Sequence, residues 1–97
     1  MSVIRLIHVK VAPDQIAAAE KVWREDCAPL MKQAPGCVSE QLLKCREEPG
    51  EYISYSEWES EQAIESWRVS DAHHEIQRHS RKLQGAKAVV KTYTIIP

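Results

Sequence analysis

The chain has 97 residues, 43% hydrophobic and 28% charged, with 13 basic against 14 acidic side chains and a net charge near −1. That length suits one domain spanning 1–97 with a thin core, and leaves no room for a second. The balanced charge argues against a polyanion partner, so no nucleic-acid role is expected; the short basic run Arg78 to Lys82 reads as a solvated helix face.

Val3 to Val11 reads as the first strand, with Val3, Ile7, Val9 and Val11 on one face and Ile4 and Leu6 on the other. Apolar side chains on both faces imply a strand covered on both sides. Arg5, His8 and Lys10 interrupt this only N-terminal apolar stretch, so no signal peptide is expected and the protein is read as cytoplasmic. No apolar run approaches the ~20 residues a membrane helix requires.

Ala12-Pro13-Asp14 opens a helix, proline being tolerated in a first turn. Ile16, Ala19, Trp23, Cys27 and Leu30 then recur at helical spacing as one apolar stripe. Pro29 should kink or restart this helix, and Pro35-Gly36 should end it. Cys37 to Cys45 and Glu51 to Glu59 read as two strands of a hairpin around Pro49-Gly50, placed as a type II turn prefers. Ser60 can cap a helix from about Glu61 to Val69 that buries Ala63, Ile64 and Trp67. Ser70 or Asp71 can cap another, with Ala72, Ile76 and Leu83 on one side and Gly85 as its stop. Ala88 to Ile96, rich in β-branched residues, reads as the last strand.

The order βαββαβ predicts an α+β, ferredoxin-like fold: a four-stranded antiparallel sheet with helices on one face. The second face then has no helix to cover Ile4 and Leu6. A second copy's sheet is the expected cover, so a homodimer through the sheet face is predicted. Cys27, Cys37 and Cys45, an odd number without a CxxC pair, should be free thiols. His73, His74 and Glu75 do not make an HExxH helix, and no metal site is expected. With three glycines in all, the chain has no phosphate-cradling loop.

The segment Tyr55-Ser56-Glu57-Trp58-Glu59-Ser60-Glu61-Gln62-Ala63-Ile64, then Trp67 and Ser70-Asp71-Ala72-His73, resembles the antibiotic-biosynthesis monooxygenase superfamily. Pro35-Gly36-Cys37 is similar to that family as well. The resemblance implies a dimeric α/β barrel. It includes cofactor-free oxidases of aromatic polyketides and quinols, heme-degrading enzymes, isomerases and members without known activity; fold alone does not choose among them.

By this resemblance Trp58 is either an aromatic wall of a substrate pocket or core packing where strand meets helix. His73 matches the family's late histidine. It is either the base that deprotonates a phenol or quinol before reaction with dioxygen, or a partly exposed helix residue. Ile7 and Tyr93 are the further candidate walls. His8 is read as structural, and Tyr52, Tyr55 and Tyr93 as phenols able to bond a ligand or simply strand residues. The chain contains no asparagine. Heme-degrading relatives carry an Asn on the first strand and a proximal His on the late helix, and those places fall on Ile7 and Gln77. Some polyketide-oxidising relatives also use an Asn near the tryptophan, and that too is absent, so neither Asn-based scheme operates unchanged here. The resemblance implies a cofactor-independent monooxygenase, with no cofactor, acting on a small aromatic or apolar ligand. A non-catalytic dimeric binding module stands as one alternative and a heme-binding or heme-degrading protein as another.

Overall fold

The computed structural model describes residues 2–80 and 87–97. Its elements run β1 (Val3–Lys10), a short 3-10 turn (Pro13–Gln15), α1 (Ile16–Val22), a π-turn (Trp23–Cys27) and α2 (Ala28–Lys32). Then follow β2 (Cys37–Lys44), β3 (Glu51–Trp58), α3 (Glu61–Arg68), α4 (Asp71–Ser80) and β4 (Lys87–Thr94). The expected order of strands and helices is the order found. The expected Leu83 and Gly85 of the late helix lie outside the described residues.

The sheet is four-stranded in the order β2-β3-β1-β4, and every pairing is antiparallel. This is the ferredoxin-like α+β fold. Strand β1 is central, which suits its two-sided apolar pattern. A bulge at Val38 leaves that side chain exposed where β2 begins. Between β2 and β3, the Glu51 amide donates to the Glu48 carbonyl at 3.3 Å, and Gly50 takes φ +87°. That is the type II geometry expected of Pro49-Gly50. A Cβ at Gly50 would stand 2.5 Å from the Val11 carbonyl oxygen, so the close approach as well as the turn requires glycine.

The first helical region restarts beside Pro29, as expected, with a π-turn between α1 and α2. Pro29 has no amide hydrogen and its ring crowds the carbonyl four residues back. The chain responds one turn earlier by widening: the Ala28 amide donates to the Trp23 carbonyl, a five-residue step. The caps of the later helices are as the sequence suggested. Ser60 Oγ accepts from the Ala63 amide at 3.1 Å, and Ser70 Oγ from the His73 amide at 3.2 Å.

The hydrophobic core occupies one end of the layer between sheet and helices. Val3, Met31, Ala34, Trp58, Ile64 and Trp67 form it, each 8% exposed or less. Helix α3 packs on β3, whereas α4 packs chiefly on α2, α3 and the π-turn. The remaining inner face of the sheet is thus left under a cleft. No helix among the described residues is long and apolar enough to cross a membrane.

Candidate functional site

The cleft has a volume of about 1220 Å3. Its floor is the inner face of the sheet: Arg5, Ile7, Val9 and Val11 from β1, with Tyr52 and Ser54 from β3. Strand alternation puts these side chains on one face, and the register sets Ile7 opposite Ser54. Ala19, Trp23 and Cys27 of the expected apolar stripe line the opposite wall. The π-turn supplies the last two of these. Arg68, His73, Ile76 and Gln77 line it from the α3–α4 side. A space of this size accommodates a ligand of several fused rings.

Of the four residues singled out from the sequence, the structure brings two together at this cleft, Ile7 and His73. Trp58 is not among its walls. It is fully buried in the core, and its indole Nε1 donates to Ser56 Oγ at 2.8 Å. Its ring reaches His73 only through Trp67: the Trp58 and Trp67 centroids are 5.9 Å apart, and Trp67 meets His73 edge-on at 5.6 Å. Tyr93 is likewise displaced from the cleft. It pairs with Ile4 across β1 and β4, on the outer face, and is 45% exposed. The reason is parity. Cleft-lining residues of β4 are even-numbered, Ala88, Val90 and Thr92, apart from Lys91 at the edge. The same parity puts His8 on the outer face, where it is exposed.

His73 is half-buried, and its Nδ1 is shielded from solvent with no hydrogen-bond partner among the described residues. Burial, then the Arg5 guanidinium, His74 and Arg68, hold its pKa below the ordinary 6.5. The imidazole is therefore neutral at neutral pH. A neutral ring keeps one nitrogen as a proton acceptor.

Arg5 is the polar residue that sequence reading passed over, treated only as an interruption of an apolar stretch. It is 5% exposed and lies on the cleft floor. Burial lowers its pKa first, then Arg68, while Glu65 acts in the opposite sense. A charged residue on the inner parity of a central strand was the available signal.

A second polar group closes another part of the cleft. Tyr52 donates its hydroxyl to Glu20 Oε2 at 2.6 Å, and Lys44 Nζ pairs with the same oxygen at 2.8 Å. Burial and this carboxylate push the Tyr52 phenol up to about 12. Hydrogen bonds from Lys44 and Tyr52 keep the Glu20 carboxyl below its usual range. The Tyr52 proton is thus committed to Glu20. Beneath the first helical region, Glu40 is 8% exposed, and both its carboxylate oxygens lack partners. Burial pushes it up to about 7, against the lowering influence of Lys32 and the Trp23 indole. Cys27, Cys37 and Cys45 are free thiols, and burial raises Cys27 to about 11, helped by Asp26 and Glu40. Among the described residues no group of three or more His, Cys, Asp or Glu stands together as a metal site would require. Ile7 and Gln77 both line the cleft.

The fold and the enclosed layer define a ferredoxin-like α+β domain with a cleft between sheet and helices. Residues 2–79 match the antibiotic biosynthesis monooxygenase family, and the chain belongs to that family. No curated protein matches the sequence. Among solved structures, a Caulobacter crescentus protein classed with these monooxygenases is 21% identical at a TM-score of 0.85, covering 99% of this chain and 91% of its own. A Mycobacterium tuberculosis protein is 18% identical at 0.83, over 100% and 97%. SnoaB, a cofactor-independent oxygenase from Streptomyces nogalater, is 18% identical at 0.81, over 99% and 94%. At these identities the likeness shows a shared fold.

Proposed function

We propose that the protein is a cofactor-independent monooxygenase that oxidises a small phenol or quinol with dioxygen, and that His73 is its base. The observation that carries this reading is the His73 imidazole on the wall of the cleft between sheet and helices, its Nδ1 without a partner among the described residues, in a chain of the monooxygenase family. SnoaB, which shares the fold, is a cofactor-independent oxygenase, and that is the chemistry carried over here.

His73 takes the proton of the ring hydroxyl. The resulting phenolate is electron-rich enough to pass an electron to dioxygen. Recombination forms a carbon–oxygen bond, and the oxygen–oxygen bond then breaks. One oxygen atom remains on the substrate and the other leaves as water with two protons. The substrate supplies every electron, so no external reductant enters. Ile7, Val9 and Ile76 supply apolar wall that holds the ring by burial.

The cleft's sheet also has an outer face, on which Leu43, Val89 and Tyr93 are 43%, 55% and 45% exposed. We infer that a second copy covers this face, as the two-sided apolar pattern of β1 implies. Ile4 is already 8% exposed within one chain, so these three side chains carry more of the uncovered area.

The test is oxygen uptake with a panel of quinols and dihydroxy-aromatics. Wild-type protein should consume oxygen above background, and His73→Ala should lower turnover about a hundredfold or more, the usual weight of a general base. Turnover should fall on acidification, at a pH lower than an ordinary histidine would set, because burial and the neighbouring cations hold the His73 pKa down. Binding of these compounds without oxygen uptake would replace the enzyme reading with that of a binding module.

A further inference from the structure

Arg5 is a charged side chain with no carboxylate paired to it among the described residues. The residue lies on the floor of the cleft, near the start of the central strand, and is 5% exposed. The backbone beneath it is fixed: Arg5 pairs with Ser56 on one side and Thr92 on the other, and Ser56 Oγ donates to the Arg5 carbonyl at 3.4 Å. Among the described residues no carboxylate stands within 4.0 Å of the guanidinium, and it makes no side-chain hydrogen bond. Residues 81–86 contain no Asp or Glu.

Its charged surroundings do not neutralise it. Arg68 opposes it, and Glu65, the carboxylate that acts on it favourably, is already paired with Arg68 at 3.2 Å. His73 and His74 add no negative charge. Two guanidinium groups therefore share one carboxylate at this part of the cleft. A largely buried cation with no carboxylate paired to it is costly to hold, and the arrangement is relieved when an anion enters. A guanidinium presents its N–H donors as a planar fork, which matches the two oxygens of a carboxylate.

We propose that the cleft takes a substrate bearing a carboxylate, a hydroxy-aromatic acid, and that Arg5 binds this carboxylate while the ring hydroxyl faces His73. The inference rests on the cleft being the substrate site, and it adds the substrate's charge to that reading. It also assigns a positioning role. Anchored at the acid group, the ring has one end fixed, and the hydroxyl to be deprotonated is carried toward the histidine wall.

The test uses two probes that differ in one group, 4-hydroxybenzoate and 4-hydroxybenzamide, titrated calorimetrically into wild-type protein at pH 7.5 under argon. The benzoate should bind about tenfold tighter or more, as a charge-assisted pair does over a neutral one. Arg5→Gln should erase that preference by weakening benzoate binding far more than benzamide binding, and Arg5→Lys, keeping charge without the fork, should retain part of it. Circular dichroism monitors folding of each variant. Should Arg5→Gln fail to fold, the wild-type preference and its loss with rising salt carry the test. Equal affinities, binding of neither probe, or a preference that survives in folded Arg5→Gln would overturn the proposal. A carboxylate supplied to Arg5 by a second copy would show as the first or second of these. Because binding is read without oxygen, failure here leaves the oxygen-uptake reading intact. Failure of oxygen uptake likewise leaves the charge preference measurable.

Discussion

Trp58 offers the sharpest test of what the structure changes. If it is core and not pocket wall, shortening it should cost stability and leave ligand affinity alone. In Trp58→Phe the indole N–H that reaches Ser56 Oγ at 2.8 Å is lost. Ser56 is 1% exposed, so water cannot replace that partner. A lost buried hydrogen bond costs roughly 1 kcal/mol. The space vacated by the smaller ring, against Trp67 and its neighbours, adds about 1–2 kcal/mol. The sum, about 2–3 kcal/mol, corresponds to a fall in Tm of roughly 10–20 °C for a domain of this size. Urea unfolding gives the free energy, and fluorescence or calorimetric titration of a quinol or hydroxybenzoate on folded protein gives Kd. The expected result is a large stability loss with Kd unchanged within about twofold, since the side chain lines no part of the cleft. A variant as stable as wild type but binding tenfold more weakly would refute the assignment and restore Trp58 to the pocket.

Glu40 should make the protein less stable as pH rises. Its carboxyl titrates at about 7 in the fold against 4.5 unfolded, so between these values the folded state binds more protons. The stability it contributes is full below 4.5 and lost as pH rises through 7. Glu40→Gln should therefore match wild type at pH 4.5 and exceed it by about 1–3 kcal/mol at pH 8, measured by urea unfolding at each pH. Equal pH profiles would show that the carboxyl is not desolvated. The outer sheet face predicts a dimer in sedimentation equilibrium at micromolar concentration, dissociated by Tyr93→Asp without loss of secondary structure; a wild-type monomer would remove the pairing inference.

How much of this was legible in the sequence depends on the interaction that decides each feature. The strands and helices follow from local rules: alternation along Val3 to Val11, a stripe from Ile16 to Leu30, Ser60 and Ser70 as caps, Pro49-Gly50 as a turn. Each acts within a few residues, so a sequence displays it. The family followed from the run around Trp58 and Trp67. The π-turn at Trp23–Cys27 did not, because periodicity says that Pro29 must disturb the helix but not which upstream carbonyl will adjust.

The site was decided mostly by tertiary structure. Strand parity alone put Ile7 inward, but the sequence did not show where the core ends along the inner face and the cleft begins. That boundary depends on how α3 and α4 pack, and it places Trp58 on the core side and His73 on the cleft side. Tyr93 turned outward because the register of β4 against β1, set by pairing across more than 80 residues, gave its odd positions to the other face. Arg5 shows the limit from the opposite direction. In the sequence it is a charge breaking an apolar strand, and only the fold, by burying it at the cleft floor without a carboxylate, makes it a site. What the chain determined by itself are its elements and their order; what the tertiary structure decided is which side chains share one volume of space, because long-range packing and desolvation arise only when those elements meet.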